Sequence, residues 1–405
     1  MVSEATAIRR DGRVLGLIGT GHFLSHFYML CLPPLFPLLK DEFGVGYAGL
    51  GLILTITYAA SGIAQTPMGF VVDRKGPFVV LTTGLALLAG AMALIAVAPS
   101  YWAVLVLAAV AGVGHSVFHP ADYAILSAAI DPRRMGRAFS MHTFSGHLGW
   151  AAAPATVIFL AALLGWRAAL AVLGMVGLAV MLAMLTQRRA LTIVLETKQG
   201  PPGSGASSTE ANDGVRLLTS APILLFFLFF FVTAMTSSGI RSFAVAAMAA
   251  LHGTPLTAAS TALTGFLVAS ALGVLIGGLM VDRTRRHDLI AAAALLGTAA
   301  AMAVIGTVSL TGAALIALFT VMGLAQGMVR PARDMLVRAV TPGNASGKVF
   351  GFVSTGLSVG GAVTPILFGW IIDQGAPQAI FYLLATFMLI AVMAIVAGRR
   401  VQVRP

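Results

Sequence analysis

The feature that most constrains this chain is a succession of apolar runs along almost its whole length. A transmembrane helix needs about 20 consecutive apolar residues to cross the hydrocarbon core of a bilayer. Runs of that length, separated by charges or Gly/Pro turns, occur at about 14–39, 47–72, 78–98, 101–129, 137–163, 165–186, 219–250, 256–281, 288–308, 312–340, 348–373 and 376–398. The sequence therefore predicts an all-α membrane protein with twelve transmembrane helices.

Composition agrees with a bilayer and excludes several other classes. Only 10% of the 405 residues are charged, against about 25% in soluble domains. The net charge of +11 comes from short basic clusters between the runs, without interleaved aromatic residues, so no nucleic-acid partner is expected. The single cysteine, Cys31, excludes an internal disulfide and a multi-cysteine metal site. We expect no cofactor and assign no metal site.

The two halves of the chain share matched residues at a nearly constant offset, and a flexible linker joins them. Residues 187–218 contain the segment Gly200-Pro-Pro-Gly-Ser-Gly, which cannot bury a core. Gly69 and Asp73 recur as Gly278 and Asp282 at an offset of 209 residues, and Pro120 recurs as Pro331 at 211. We therefore predict two pseudo-symmetric six-helix bundles, 1–186 and 219–405, a plan typical of transporters.

The basic residues predict the orientation in the membrane. Nineteen of the 25 lysines and arginines fall on the side that holds both termini, whereas the loops on the other side keep Lys40 and Arg167. Positively charged loops stay in the cytoplasm. The first apolar run is too long for the core of a cleaved signal peptide, about 7–15 residues. We predict a multi-pass inner-membrane protein with both termini cytoplasmic.

Ionisable residues inside the runs are the candidate functional groups, because they are costly in a membrane and usually face a cavity or a partner. Histidines four residues apart share a helix face, as in the pairs His22/His26 and His115/His119. The candidates are concentrated in four runs: His22 and His26 in the first, His115, His119 and Asp122 in the fourth, Arg241 in the seventh, and Arg330 and Arg333, with Gln326 nearby, in the tenth. The fifth run adds His142 and His147, and the alternative of helix packing is strongest for His142. Pro120 and Pro331 each predict a helix kink.

Two roles follow from these side chains. Arginine binds carboxylate or phosphate bidentately, so Arg330, Arg333 and Arg241, with His115 and Gln326, are candidates for binding an anionic substrate. The alternative is ion pairing of Arg330 with Asp334, or of Arg333 with Asp122.

Histidine titrates near neutral pH, so His119 with Asp122 is the candidate proton-coupling pair, with His22 and His26 as relays. Hydrogen-bonded packing histidines are the alternative. The same histidines could also bind a metal or a metal chelate, although arginines in the other half would repel a free cation.

A motif between the second and third runs carries a family resemblance. Gly69 followed by Asp73-Arg74-Lys75-Gly76 resembles the signature loop of the major facilitator superfamily, and Asp282-Arg283 resembles its second copy; the motif departs from the family pattern at Pro77-Phe78. The resemblance implies that helices 1, 4, 7 and 10 line a central cavity. It also implies gating roles for Gly69, Asp73, Arg74, Asp282 and Arg283, with Asp73 capping the eleventh helix.

A narrower resemblance involves the first and fourth runs. Ser116-Val-Phe118-His119-Pro120 and Gly21-His22-Phe-Leu-Ser-His26 are similar to segments of the fosmidomycin resistance group of efflux proteins. That group implies proton-driven export of a small anionic drug by alternating access. The expectation is a monomeric secondary transporter, with proton-coupled uptake as the alternative. No phosphate-binding G-x-x-x-x-G-K loop is present for ATP, and no nucleophile–base–acid set indicates an enzyme.

Overall fold

The computed structural model describes residues 4–130, 135–188, 219–283, 286–340 and 346–402. Within these ranges the regular structure is helical, with one 3₁₀ helix, Pro33–Leu35, and fourteen α-helices. The α-helices are α1 Glu4–Met29, α2 Phe36–Phe43, α3 Tyr47–Lys75, α4 Pro77–Ile95, α5 Tyr101–Ser116, α6 Phe118–Ala129, α7 Met135–Leu164, α8 Trp166–Thr186, α9 Ala221–His252, α10 Leu256–Arg283, α11 His287–Thr307, α12 Gly312–Val340, α13 Ser346–Asp373 and α14 Pro377–Gln402.

The predicted twelve membrane spans are confirmed. Among the described residues, twelve helical segments are long and apolar enough to cross a membrane. Two of them are composite: Arg10–Phe43 joins α1 to α2, and Tyr101–Leu126 joins α5 to α6. Helix α1 begins ten residues before the predicted first run, at Glu4. Residues 189–218, most of the predicted linker, lie outside the described part of the chain.

The fourth span is interrupted beside its proline, whereas the tenth is continuous. Helix α5 ends at Ser116, and α6 begins at Phe118 after a turn at Val117. Pro120 has no N–H to donate to the carbonyl four residues earlier, at Ser116, which weakens the helix at this point. Pro331, its counterpart, lies inside the uninterrupted helix α12. The kink predicted at the second proline therefore does not break its helix.

The chain groups into two compact units, Met1–Val45 with Leu52–Pro201, and Gly46–Gly51 with Pro202–Pro405. In the first unit α1 packs on α7, and α4 packs on α5 and α8. In the second, α9 packs on α13 and α14, and α10 and α11 pack on α12. The core of the second unit includes Phe226, Phe229 and Phe230 of α9 with Val329 of α12 and Met388 of α14. In the same unit the Asp373 carboxylate accepts hydrogen bonds from the amides of Tyr47 and Ala48, both at 2.7 Å.

Helices α1 and α7 approach closely at Gly149, and this contact yields a stability prediction. A Cβ at Gly149 would overlap the carbonyl oxygen of Phe23 and lie 3.1 Å from the amide nitrogen of Phe27. Overpacking of this kind costs about 1–3 kcal/mol. We therefore expect Gly149→Ala to lower the melting temperature of the protein in detergent, measured by tryptophan fluorescence.

Gly16 of α1 provides the matched control. Among the described residues, no neighbouring atom lies within 4 Å of a Cβ built there. Gly16→Ala should leave the melting temperature unchanged or raise it slightly, because removing a helical glycine gains about 0.5–1 kcal/mol. Equal melting temperatures for the two variants would show that α1 and α7 do not pack as closely as described.

Candidate functional site

Five histidines and one carboxylate gather inside the first unit, contributed by four helices. We call this set the histidine cluster. Its members are His22 and His26 of α1, His115 of α5, His119 and Asp122 of α6, and His142 of α7. His22, His26, Asp122 and His142 are buried, at 2%, 7%, 0% and 2% exposure. Such burial makes their protonation and hydrogen bonding energetically important.

The Asp122 carboxylate lies between two histidines. Its Oδ2 accepts a hydrogen bond from His142 Nε2 at 2.8 Å and lies 3.3 Å from His22 Nδ1. Its Oδ1 is buried without a hydrogen-bond partner among the described residues. The spacing of His119 and Asp122 predicted a pair on one helix face, but the closest partners of Asp122 come from α1 and α7.

The imidazole rings contact one another through the cluster, and His22 and His142 are stacked. The ring centroids of His22 and His142 are 3.8 Å apart, those of His22 and His26 4.4 Å, and those of His22 and His119 5.4 Å. Gly146 of α7 makes room for the rings, because a Cβ there would lie 2.8 Å from atoms of both His22 and His26.

Three further side chains border the cluster, and sequence reasoning did not include them in the site. Ser61 Oγ of α3 is 2.9 Å from His115 Nδ1. The Trp150 ring lies 4.3 Å from the His26 ring and 5.4 Å from the His147 ring, centroid to centroid. The contacts Ser61–His115 and Trp150–His26 each join different helices, so local spacing does not indicate them, whereas His147 and Trp150 are three residues apart on α7.

His142 is the most important residue that sequence reasoning left out of the site. It was interpreted as a packing residue, yet it makes the shortest contact to Asp122. One signal was available: α7 carries His142 and His147 within a predicted span, where a titratable side chain usually has a partner.

The charge balance of the cluster favours binding of a proton. An ionised Asp122 adds one negative charge to a buried site, and a buried charge is costly unless it is paired. One additional proton on any of the surrounding imidazoles makes the cluster neutral. The cluster therefore supplies several groups that are chemically able to bind a proton.

The second unit holds the arginines predicted to bind substrate. Arg333 of α12 is half-buried, and its guanidinium carbon lies 4.2 Å from the centroid of the buried Phe230 ring of α9. An aromatic face stabilises a cation without occupying its N–H donors. Arg330 of α12 and Arg241 of α9 are half-buried as well. Gln326 is buried, with Nε2 3.4 Å from Met388 Sδ.

Several predicted partners and gating residues have side chains outside the described part of the structure. The side chains of Asp334 and Arg338 lie outside the described residues, so the proposed Arg330–Asp334 pair stays a prediction. Asp73, Asp282 and Arg283 belong to the last turns of α3 and α10, but their side chains are likewise outside this part. The capping role of Asp73 also stays a prediction.

The signature motif lies mostly in a helix and not in a loop, which corrects the prediction from sequence. Helix α3 continues through the exposed Arg74 to Lys75, and α4 begins at Pro77. Only Gly76 separates them, at φ +84°, in the left-handed region that favours glycine. A Cβ at Gly69 would meet no neighbouring atom within 4 Å among the described residues, so close packing does not explain that glycine.

Comparison with known proteins finds similarity over nearly the whole chain. The family model described as Major Facilitator Superfamily matches residues 18–240 and 225–405. The "Fosmidomycin resistance protein" of Escherichia coli (strain K12) is 26% identical over 401 residues, which cover 97% of this chain and 94% of that protein. The "Uncharacterized MFS-type transporter YfnC" of Bacillus subtilis (strain 168) is 30% identical over 142 residues, covering 35% of this chain and 34% of that protein.

A solved structure has the same fold. The crystal structure of a bacterial homolog to the human lysosomal transporter Spinster, in an inward-facing and occupied conformation, matches with a TM-score of 0.75. It covers 96% of this chain and 97% of that chain at 15% sequence identity. With both halves matched by the family model and twelve spans present, this chain is a multi-pass membrane transporter and not an enzyme, and it belongs to the Major Facilitator Superfamily.

Proposed function

We propose that this protein exports a small organic anion across the inner membrane in exchange for protons, by alternating access. The observation that carries the proposal is the Asp122 carboxylate, which is fully buried between His22 and His142 inside a transporter. A packed, inert core would not need to bury an acid among five titratable rings, because such a group is costly in a membrane.

In this proposal the histidine cluster is the proton-binding site. His142 and His22 contact the carboxylate directly, while His119 and His26 connect to it through the His22 ring. A proton that enters neutralises the cluster, and its release restores the charge. The protonated and deprotonated clusters differ in charge, so they are hydrated differently. The protonation state therefore changes the relative stability of the two conformations of the carrier.

The anion-binding groups are proposed to be Arg333, Arg330 and Arg241, with Gln326 and His115. The Arg333 guanidinium lies against the Phe230 ring, and a planar guanidinium can bind a carboxylate or phosphate bidentately. The Escherichia coli relative is named for resistance to fosmidomycin, which supports a drug as substrate. Uptake by symport is the alternative direction.

The family resemblance supports gating by Gly69, Asp73, Arg74, Asp282 and Arg283.

The proposed orientation places both termini in the cytoplasm, and the proposed transporter is a monomer. A reporter protein that is active only in the cytoplasm, fused at residue 195 or at residue 405, tests the orientation, and we expect both fusions to be active. Activity at either residue of a reporter that works only outside the cytoplasm would contradict the orientation.

Transport in everted membrane vesicles tests the function. With an acidic lumen, we expect radiolabelled fosmidomycin to accumulate in vesicles that contain this protein and to leave when an ionophore collapses the pH gradient. Organic acids and phosphonates that raise the melting temperature of the purified protein serve as further substrates. Accumulation that ignores the pH gradient would contradict proton coupling, and accumulation only in right-side-out vesicles with an acidic exterior would show uptake.

A further inference from the structure

Three groups of the histidine cluster converge in the way that metal ligands do. His22, Asp122 and His142 each offer one ligand atom, and these atoms lie within 4.8 Å of one another. The Asp122 Oδ2 is 2.8 Å from His142 Nε2 and 3.3 Å from His22 Nδ1. All three side chains are at most 3% exposed. The ligands come from α1, α6 and α7, so the site exists only in the folded unit.

The separations suit a small divalent ion. A tetrahedral Zn²⁺ with bonds of about 2.0–2.1 Å holds its ligand atoms about 3.3–3.4 Å apart. The His22–Asp122 separation already has this value, and the His142–Asp122 separation needs to lengthen by a few tenths of an ångström. The His22 and His142 rings, stacked with centroids 3.8 Å apart, must rotate so that a nitrogen of each faces the ion.

Unsatisfied atoms in the cluster give an independent reason to expect a ligand. His22 Nδ1, Asp122 Oδ1 and His119 Nδ1 are buried and have no hydrogen-bond partner among the residues that the structure describes. Buried polar atoms without a partner are rare and destabilising. A metal ion satisfies His22 Nδ1 directly. The His119 ring, 5.4 Å from the His22 ring, is close enough to supply a fourth ligand after a rotamer change.

The donor set selects the class of ion. Imidazole nitrogens with one carboxylate suit borderline divalent metals such as Zn²⁺, Co²⁺ and Ni²⁺, whereas Mg²⁺ and Ca²⁺ prefer oxygen ligands throughout. The only cysteine, Cys31, is a buried hydrogen-bond donor to the Phe27 carbonyl, so no thiolate in the site favours a softer ion.

We propose that His22, Asp122 and His142 bind a divalent transition-metal ion of the Zn²⁺ class, with His119 as the fourth ligand, and that the bound ion arrests transport. The arrest follows because the ion occupies the groups that bind the proton in the proposed function. Metal binding itself does not depend on that function. The site is therefore inhibitory, and the ion is not the cargo.

A binding titration tests the site. The full-length protein, purified with a tag that contains no histidine and stripped with chelator, is titrated with ZnCl₂ by calorimetry. We expect one Zn²⁺ per chain and no response to MgCl₂. His22→Gln and His142→Gln should each weaken binding by at least about tenfold, the lower end of what disturbing a metal site costs.

His147→Gln is the matched control, because His147 is on the same helix as His142 but contacts Trp150. Its Zn²⁺ affinity should equal that of the wild type. The visible absorption of bound Co²⁺ reports tetrahedral geometry, and melting of the metal-free variants shows that they are folded. Absence of Zn²⁺ binding by the wild type, or unchanged affinity in both folded cluster variants, would overturn the site.

A transport assay distinguishes failure of the metal-site proposal from failure of the proposed function. In everted vesicles, Zn²⁺ near its dissociation constant should inhibit fosmidomycin uptake, EDTA should restore it, and Mg²⁺ should have no effect. Uptake that persists at saturating Zn²⁺, or accumulation of radioactive zinc in the lumen, would overturn the inhibitory role. If no anion is transported at all, the proposed function fails while the calorimetric result still decides the metal site.

Discussion

At neutral pH, Asp122→Asn should strongly reduce concentrative transport while leaving the protein folded. Asparagine keeps the shape of the side chain but removes the negative charge that stabilises a proton on His22 or His142, 3.3 and 2.8 Å away. A hydrogen bond to a charged group contributes about 1.5–3 kcal/mol, so proton affinity should fall by about ten- to a hundredfold. Uptake driven by an imposed pH gradient in everted vesicles measures the effect.

The sign of the pH dependence is a stricter test of this role. Because the charge of Asp122 favours the protonated cluster, its removal means that a higher proton concentration is needed for binding. The pH of half-maximal transport should therefore move to a more acidic value, by about one to two units. Exchange of substrate across the membrane without a gradient needs no net proton movement, so it should persist in Asp122→Asn.

Asp11→Asn is the matched control. Asp11 is a second buried acid of the first unit, 6% exposed, in α1 and outside the histidine cluster. Its substitution tests whether loss of any buried carboxylate impairs transport. An unchanged pH profile in a folded Asp122→Asn protein would contradict the proton-binding role of this residue, whatever the Asp11 variant does.

Arg333→Gln should weaken binding of an anionic substrate by about ten- to a hundredfold, because charge-assisted hydrogen bonds contribute about 1.5–3 kcal/mol. Arg333→Lys should lose less, since lysine keeps the charge but lacks the bidentate fork and the planar face that lies against Phe230. Equilibrium binding of the substrates found by thermal shift, measured by calorimetry on the purified protein, checks both variants.

A surface arginine serves as the control for charge alone. Arg286, just before α11, is exposed, and Arg286→Gln should leave substrate affinity unchanged. The Zn²⁺ titration of Arg333→Gln should also match the wild type, because the histidine cluster is intact. Equal substrate affinity in wild type and Arg333→Gln would exclude this arginine from the binding site.

The helices and their repeat were predictable because they depend on local chemistry. A run of about 20 apolar residues has few structural solutions in a bilayer other than a helix, and the two copies of the proline and glycine landmarks survive in the sequence. The composition of the histidine cluster was also visible, since titratable residues are rare within spans. His22, His26, His115, His119 and Asp122 were all identified in this way.

The pairing within the cluster was not predictable, for a physical reason. Spacing along one helix says nothing about rings from other helices, and Asp122 takes its partners from α1 and α7. The four-residue spacing of His115 and His119 did indicate a common direction. Their rings lie 6.2 and 6.3 Å from the His26 ring, and Val117 between α5 and α6 keeps a right-handed helical conformation.

The two prolines matched by the sequence repeat, Pro120 and Pro331, have different surroundings. A helix boundary lies beside the first, between Ser116 and Phe118, whereas the second lies inside a continuous helix. A carrier with identical halves must use one set of side chains for every ligand it handles. A difference at a matched position lets each half present its own side-chain chemistry.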